Sequence, residues 1–371
     1  MRAYLNKNVF DATIERLTRI YTEEENVVVF SSGGKDSTVI LELAIIVAKT
    51  LNKLPVKVAF LDQESEYQAT IDYMRKLKNR PEIELYWFQI PFILTNSTTL
   101  TKENEWLKCW DEGEKDKWMR AKEPDAITEN NFGTVRFKEL CERLGDYIFG
   151  KDSNHVAIIG VRGAESLNRY VLMHKEQASY KDILWASKGY RAGVFRLYPI
   201  YDWEDSDVWH AIAKYKWSYN HLYDKMFQLG IPAHQMRVSS IIHETGIHGL
   251  KYLKEAEPKT FERLSLRIGG VNTYNMMYKK DAYSVKKLPV AFGSWVEYRD
   301  YLIDKLIAPE NKKLFINAFK KHTTEEEARN DIKAVLVNDV CLTKVQNARI
   351  SKILTDRLKD GKRYGKKNSR N

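Results

Sequence analysis

The sequence predicts an α/β fold, a doubly wound and mostly parallel sheet followed by a helical C-terminal region. Short β-branched runs alternate with helical stretches, a glycine-rich loop joins the first strand to a helix, and only helical patterns follow Glu255. Phe10, Ile14, Leu17 and Tyr21 recur at helical spacing and predict an amphipathic helix leading into the acidic stretch Glu23 to Glu25. Asn26 to Phe30 is short, apolar and β-branched, the pattern of a strand buried on both faces of a parallel sheet. Ser31 to Ser37 then supplies turn chemistry, and Thr38 to Leu51 is apolar on nearly every side, which predicts a buried helix. The unit repeats: a strand at Val56 to Leu61, a helix at Tyr67 to Leu77, and strands at Ile83 to Ile90, His155 to Gly160 and Val194 to Tyr198. Such alternation implies βαβ crossovers with helices on both faces. Ligands of these sheets bind at the carboxyl ends of the strands, here Ser31 to Ser37, Asp62 to Glu66 and Gly160 to Arg169. Helical segments are expected at Thr260–Ile268, Ser294–Leu306, Asn311–Lys320 and Glu325–Val337. The predicted organisation is a first domain over 1–250 with an insertion at 91–134, a helical region over 251–356 and a basic tail over 357–371.

Composition narrows the class. The 371 residues are 43% hydrophobic and 30% charged with only 18 Gly and 9 Pro, which excludes collagenous and wholly disordered chains. The most apolar stretch, Val39 to Ala48, contains Glu42 and is far shorter than the roughly 20 residues of a membrane span. No membrane association is expected. The first residues lack an apolar run with a cleavage site, so a cytoplasmic location is expected. Cys109, Cys141 and Cys341 form no CxxC and no zinc-type spacing, and three cysteines cannot supply a four-cysteine iron–sulfur cluster. Of the net +10 charge, six units fall between Arg357 and Asn371, where seven basic residues accompany one acid, Asp360. That tail suits loose contact with nucleic acid, or it is a solvated terminus.

The chemistry concentrates in Phe30-Ser-Ser-Gly-Gly-Lys-Asp-Ser-Thr38. Gly33 and Gly34 let backbone N–H groups approach a ligand, Ser31, Ser32, Ser37 and Thr38 add hydroxyls, and the helix start favours negative charge. Together they predict a phosphate nest. It is not a Walker A loop, because Val29 stands where that motif has its first glycine and Lys35 is followed by Asp36.

This string resembles the PP-loop of the adenine nucleotide α-hydrolase-like superfamily, which includes ATP pyrophosphatases and phosphoadenosine phosphosulfate reductases. Phe60-Leu-Asp-Gln-Glu64 with Tyr67 and Thr70 resembles the family's second-strand segment. Gly160-Val-Arg-Gly-Ala-Glu-Ser-Leu-Asn-Arg169 resembles its G-x-R-x-x-E-S-x-x-R segment. Tyr198-Pro-Ile-Tyr-Asp-Trp203 with Asp207-Val-Trp209, then Tyr219-Asn220 with Leu222-Tyr-Asp224, resemble its next two elements. The chain is most similar to the reductase-like branch called immunoglobulin-binding regulator A, often encoded beside a ParB-like protein. Pro258 to Thr260, Arg267 to Asn272 and Val335 to Asp339 suit that branch too.

The resemblance implies an adenine nucleotide, ATP or phosphoadenosine phosphosulfate, with Mg²⁺, and a ParB-like protein or nucleic acid as further partner. Lys35 is expected to be the cation of the nest, with Arg162 and Arg169 gripping one polyphosphate or sulfate; ion pairs of the arginines with Glu165 or Glu176 are the structural alternative. Asp36 and Asp62 are expected to hold Mg²⁺, Asp62 alternatively capping a helix. Lys35, Asp36 and Arg162 thus form the expected catalytic set. A reductase attacks with a thiolate, yet HQMRVSSIIHETGIH after Tyr223 carries no cysteine. His243 and His248 stand five apart, not the four of a helical zinc motif, so zinc is not expected. Trp106, Trp110 and Trp118 either pack the insertion onto the sheet or form a lid over the nucleotide. The favoured reading is cleavage of ATP between the α and β phosphates with adenylation of an acceptor. The alternatives are a sulfonucleotide enzyme using Cys109 or Cys141, and a non-catalytic nucleotide-binding regulator.

Overall fold

The computed structural model describes residues 6–99, 106–166, 169–171, 180–238, 240–243, 246–272, 287–307 and 309–336. The strands are β1 (Val27–Phe30), β2 (Val56–Leu61), β3 (Ile83–Phe88), β4 (Phe92–Thr95), β5 (Trp106–Cys109), β6 (His155–Ile159), β7 (Ala186–Lys188) and β8 (Val194–Leu197). The α-helices are α1 (Val9–Glu23), α2 (Lys35–Thr50), α3 (Gln68–Lys78), α4 (Phe137–Phe149), α5 (Asp205–Tyr215), α6 (Leu222–Gln228), α7 (Leu250–Ala256), α8 (Pro258–Arg267), α9 (Trp295–Leu306), α10 (Pro309–Phe319) and α11 (Glu325–Leu336). None of the described helices is long and apolar enough to cross a membrane.

Six strands form one sheet in the order β3-β2-β1-β6-β8-β7, parallel except for the edge pair β7–β8. The doubly wound expectation holds, and the register explains it. Alternate residues of each strand face opposite sides. Val27, Val29, Val58, Phe60, Val156 and Ile158 join α1, α2, α3 and α5 in one core. Val28, Ala59, Leu61 and Ala157 join α4, the insertion and the helices after Tyr219 in the other. A sheet covered on both faces needs apolar residues at consecutive positions, which is why the strands read as unbroken apolar runs.

From β1 the chain winds outward through β2 to β3, then returns to the other side of β1 as β6. The strand order reverses beside β1, so the loops after β1 and β6 flank the crevice where such sheets bind ligands.

Three features refine the sequence reading. Residues 91–134 contain a hairpin, with β4 and β5 pairing antiparallel from Phe92 opposite Cys109 to Thr95 opposite Trp106. Trp110 is fully buried and Trp118 stands edge-on to it at 5.4 Å, so these two tryptophans pack the insertion onto the sheet rather than lying loose as a lid. Finally, Leu250, Leu253, Ala256, Leu264, Ile268 and Val271 belong to the same core as the sheet, which continues past residue 250. A separate core forms among α9, α10 and α11 around Leu302, Ile303, Phe315, Phe319 and Ile332. The tail over 357–371 lies outside the described residues.

Candidate nucleotide site

The 31–37 loop leaves β1 in the middle of the sheet and turns at Gly33, whose φ of 69° lies in the left-handed region that glycine adopts without strain. A side chain there would also meet Thr70 Cγ2 at 2.9 Å, so α3 packs directly beneath the turn. Asn220, fully buried, donates its amide to the Gly33 carbonyl (3.2 Å) and to Thr70 Oγ1 (2.9 Å). The helix starts at Lys35 rather than at Thr38, with Gly34 as its cap. Lys35, Asp36 and Ser37 therefore form its first turn, where backbone N–H groups have no intrahelical acceptor and the helix dipole is positive.

Ser37 Oγ donates to the Gly34 carbonyl (2.9 Å) and accepts the Ser32 N–H (3.3 Å). Tyr223, from α6, accepts the Lys35 N–H at 3.1 Å. Burial and the nearby Asp36 raise its phenol well above the ordinary range, so it stays neutral. On the opposite side Gly160 follows the last residue of β6, and a Cβ there would stand 2.7 Å from the Asp36 carbonyl oxygen and 2.9 Å from the Ser37 nitrogen. Gly160→Ala should therefore push the loop from the sheet and cost about 1–3 kcal/mol of stability. Urea melts and pyrophosphate titration check this, and a variant matching wild type in both would remove the steric argument.

The charged groups form a compact network. Arg162 donates through Nε to Asp36 and through an Nη to Asp205 (3.1 Å). Lys35 Nζ pairs with Asp205 (3.1 Å) and Asp36 (3.3 Å). Asp205 opens α5 and is the acid that sequence reasoning missed. Nothing in its neighbourhood marks it, since the quoted motif residue Asp207 instead closes a capping box with Glu204. Arg169 pairs with Glu165; the structural ion pair is thus present for this arginine, while Glu176 lies outside the described residues. Burial, then the neighbouring charge of Arg237, pulls the Arg169 guanidinium down to about 10, still charged at neutral pH. A cavity of about 320 Å³ unites these groups, lined by Ser32, Lys35, Asp36, Arg162, Arg169, Asp205, Tyr223 and Arg237 among others.

Several expected site residues sit elsewhere. Ser31 is buried against Met74, and Thr38 Oγ1 bonds the Gly34 carbonyl (3.0 Å) and Tyr73 Oη (2.8 Å), so both brace the loop. Asp62 requires a correction: its fully buried carboxylate does not line the cavity. It accepts from Trp87 Nε1 and Gln89 Nε2 (2.9 Å each) and pairs with Arg120, which the insertion supplies. With both oxygens engaged, it is the buried counter-ion of Arg120, and the N-cap of α3 is Tyr67 rather than Asp62.

Cys109 is buried with its Sγ 3.3 Å from the Gln63 carbonyl; burial, then the Glu64 charge, pushes its thiol well up. Burial pushes Cys141 up to about 12. Cys341 lies outside the described residues. Burial lowers His243 to about 4; Glu244 and the side chain of His248 also lie outside the described residues. Among the described residues no group of three or more His, Cys, Asp or Glu is placed to hold a metal ion.

Comparison with known proteins now identifies the family. The phosphoadenosine phosphosulfate reductase domain model matches residues 26–230, and a domain of unknown function, DUF3440, matches 230–352. The uncharacterized protein YbdN of Escherichia coli is 28% identical over 312 residues, 81% of this chain and 75% of that protein. An uncharacterized protein of Methanocaldococcus jannaschii is 28% identical over 197 residues, 53% of this chain but only 38% of that protein. A phosphoadenylyl-sulfate reductase structure from Candida auris matches 60% of this chain and 93% of its own at 12% identity, with a TM-score of 0.29. A superposition this loose carries no argument, and the sequence family does. The chain belongs to the phosphoadenosine phosphosulfate reductase domain family and is a nucleotide-using enzyme of the PP-loop adenine nucleotide α-hydrolase-like superfamily.

Proposed function

We propose that the protein binds ATP at Ser32 to Ser37 and cleaves it between the α and β phosphates, transferring the adenylyl group to an acceptor. The observation that carries this reading is the joining of the glycine loop with Lys35, Arg162 and two carboxylates in one cavity at the switch point of the sheet. The loop is a rigid anion hole, held by Asn220 and Tyr223 from below, so it holds charge without reorganising. Arg162 and Arg169 grip phosphate oxygens, and Asp36 and Asp205 turn Lys35 and Arg162 toward them. Asp36 and Asp205, which line the cavity, are the carboxylates that would hold Mg²⁺, an ion that takes one or two carboxylates together with substrate phosphates. When bound, Mg²⁺ supplies charge neutralisation of the polyphosphate. The test is incubation with ATP, and separately with phosphoadenosine phosphosulfate, followed by separation of the nucleotide products; AMP and pyrophosphate from ATP support the reading, and ADP with phosphate overturns it.

Thiol chemistry is the second reading, and the buried thiols argue against it, because the nucleophile is the thiolate. Cys109 and Cys141, both with raised pKa values, supply almost none at neutral pH. Replacing Cys109, Cys141 and Cys341 together with serine should leave nucleotide turnover within about threefold of wild type, since buried cysteines mostly act as small apolar residues. Selective loss of turnover in a folded triple variant would restore the reductase reading. We propose a ParB-like protein or nucleic acid as the further partner, supported by the six net positive charges of residues 357–371.

A further inference from the structure

The cavity separates its cations into two kinds. Lys35 and Arg162 are buried, with side chains 7% and 4% exposed, and each is already shared between Asp36 and Asp205. Arg169 is held by Glu165. Arg237 differs from all three. It is exposed, lines the same cavity and has no hydrogen bond or ion pair among the described residues. Its backbone position is nevertheless fixed, because the adjoining Val238 comes within 3.2 Å of where a Cβ on Gly34 would stand. The unpaired guanidinium thus hangs from a segment pressed against the phosphate loop.

A paired cation in a neutral network adds little new attraction for an incoming polyanion, since the carboxylates it already holds are repelled. An unpaired guanidinium adds its full charge and a fork of donors that matches phosphate oxygens. It also needs no carboxylate to be displaced.

We propose that Arg237 is the catalytic arginine that contacts the departing pyrophosphate. This rests on the ATP-cleaving reading above. In the reaction an acceptor oxygen, that of water where free AMP is the product, attacks the α phosphorus, the bond from that phosphorus to the α–β bridging oxygen breaks, and its electron pair leaves on pyrophosphate. The acceptor proton passes to water in the open cleft. Negative charge grows on the pyrophosphate oxygens as that bond lengthens, and Arg237 meets it with two hydrogen bonds.

The experiment titrates inorganic pyrophosphate calorimetrically into the full chain as wild type, Arg237→Ala and Arg237→Lys, and measures AMP formation from ATP beside it. Arg237→Ala should weaken pyrophosphate binding at least about tenfold and slow AMP formation about a hundredfold. Arg237→Lys should recover part of the binding but little of the rate, because a point charge lacks the fork. Guanidinium chloride at a few millimolar, far below denaturing concentration, should raise the rate of Arg237→Ala and not that of wild type, a response that a merely structural role would not give. Equal pyrophosphate affinity in wild type and Arg237→Ala overturns the proposal. If wild type makes no AMP while pyrophosphate affinity still depends on Arg237, the ATP-cleaving reading fails and the anion contact stands. The side chain is exposed, so loss of folding does not obscure either outcome.

Discussion

Lys35→Ala should lower the rate of AMP and pyrophosphate release by roughly 10²–10³-fold while weakening ATP binding much less. The asymmetry follows from position. Lys35 opens α2 with its ammonium 7% exposed and bonded to Asp205 and Asp36, so it is preorganised before any ligand arrives. A cation held in that way contributes most when charge increases, which happens as the α–β bond breaks. The ground-state polyphosphate is also held by loop N–H groups, by Ser32 and Ser37, and by the arginines. Removing Lys35 leaves Asp36 and Asp205 sharing Arg162 alone. A modest rise in nucleotide affinity for Mg²⁺-free ATP would be the wrong sign for this account, as would wild-type turnover. The assay runs wild type and variant side by side with a candidate acceptor present, and a thermal melt checks that both are folded.

The parts legible from sequence are those set by local pattern. β1 and β2 were readable because a strand covered on both faces must be apolar at successive positions, and Val27 to Phe30 and Val56 to Leu61 satisfy that rule. The glycine loop was readable because Gly33 and Gly34 next to Lys35 and Asp36 serve no ordinary turn. Other features depended on contacts distant in sequence. Sequence places the start of α2 at Thr38, three residues after its true start, since Lys-Asp-Ser looks like loop until Gly34 is seen to accept both the Thr38 N–H and hydroxyl. β7 has three residues and pairs only at the sheet edge, too short for any periodicity. Asp205 and Arg237 reach the cavity through tertiary placement, and nothing beside them in the chain distinguishes them from surface charges. Asp62 is the complementary case: an acid at a strand end reads as a metal ligand, and its counter-ion stands 58 positions later in the insertion, out of reach of local pattern.

That counter-ion leads to the largest stability effect expected in the molecule. Asp62 is fully buried and Arg120 has a side chain only 9% exposed, so neither charge is solvated when its partner is lost. Arg120 Nη2 donates to both Asp62 oxygens and Nη1 to the Glu64 carbonyl at 2.7 Å, which ties the insertion to the end of β2. Two further insertion contacts lie beside it: Glu64 accepts the Trp110 N–H at 2.8 Å, and Trp110 Nε1 donates to the Asp62 carbonyl at 2.8 Å. Arg120→Ala leaves a buried carboxylate held by the neutral donors Trp87, Gln89 and the Glu64 N–H but with no counter-ion, and breaking a buried pair in this way costs about 3–5 kcal/mol. Asp62→Asn with Arg120→Ala removes both charges and should cost less than the sum of the two single changes, since the two residues are in direct contact. Denaturant melts of the four proteins give the coupling energy. Metal dependence separates this role from the earlier expectation: Asp62→Asn, if folded, should keep the wild-type Mg²⁺ requirement for ATP turnover, whereas Asp205→Asn should raise it. A raised Mg²⁺ requirement in Asp62→Asn, with additive melts, would return Asp62 to the metal and detach it from Arg120.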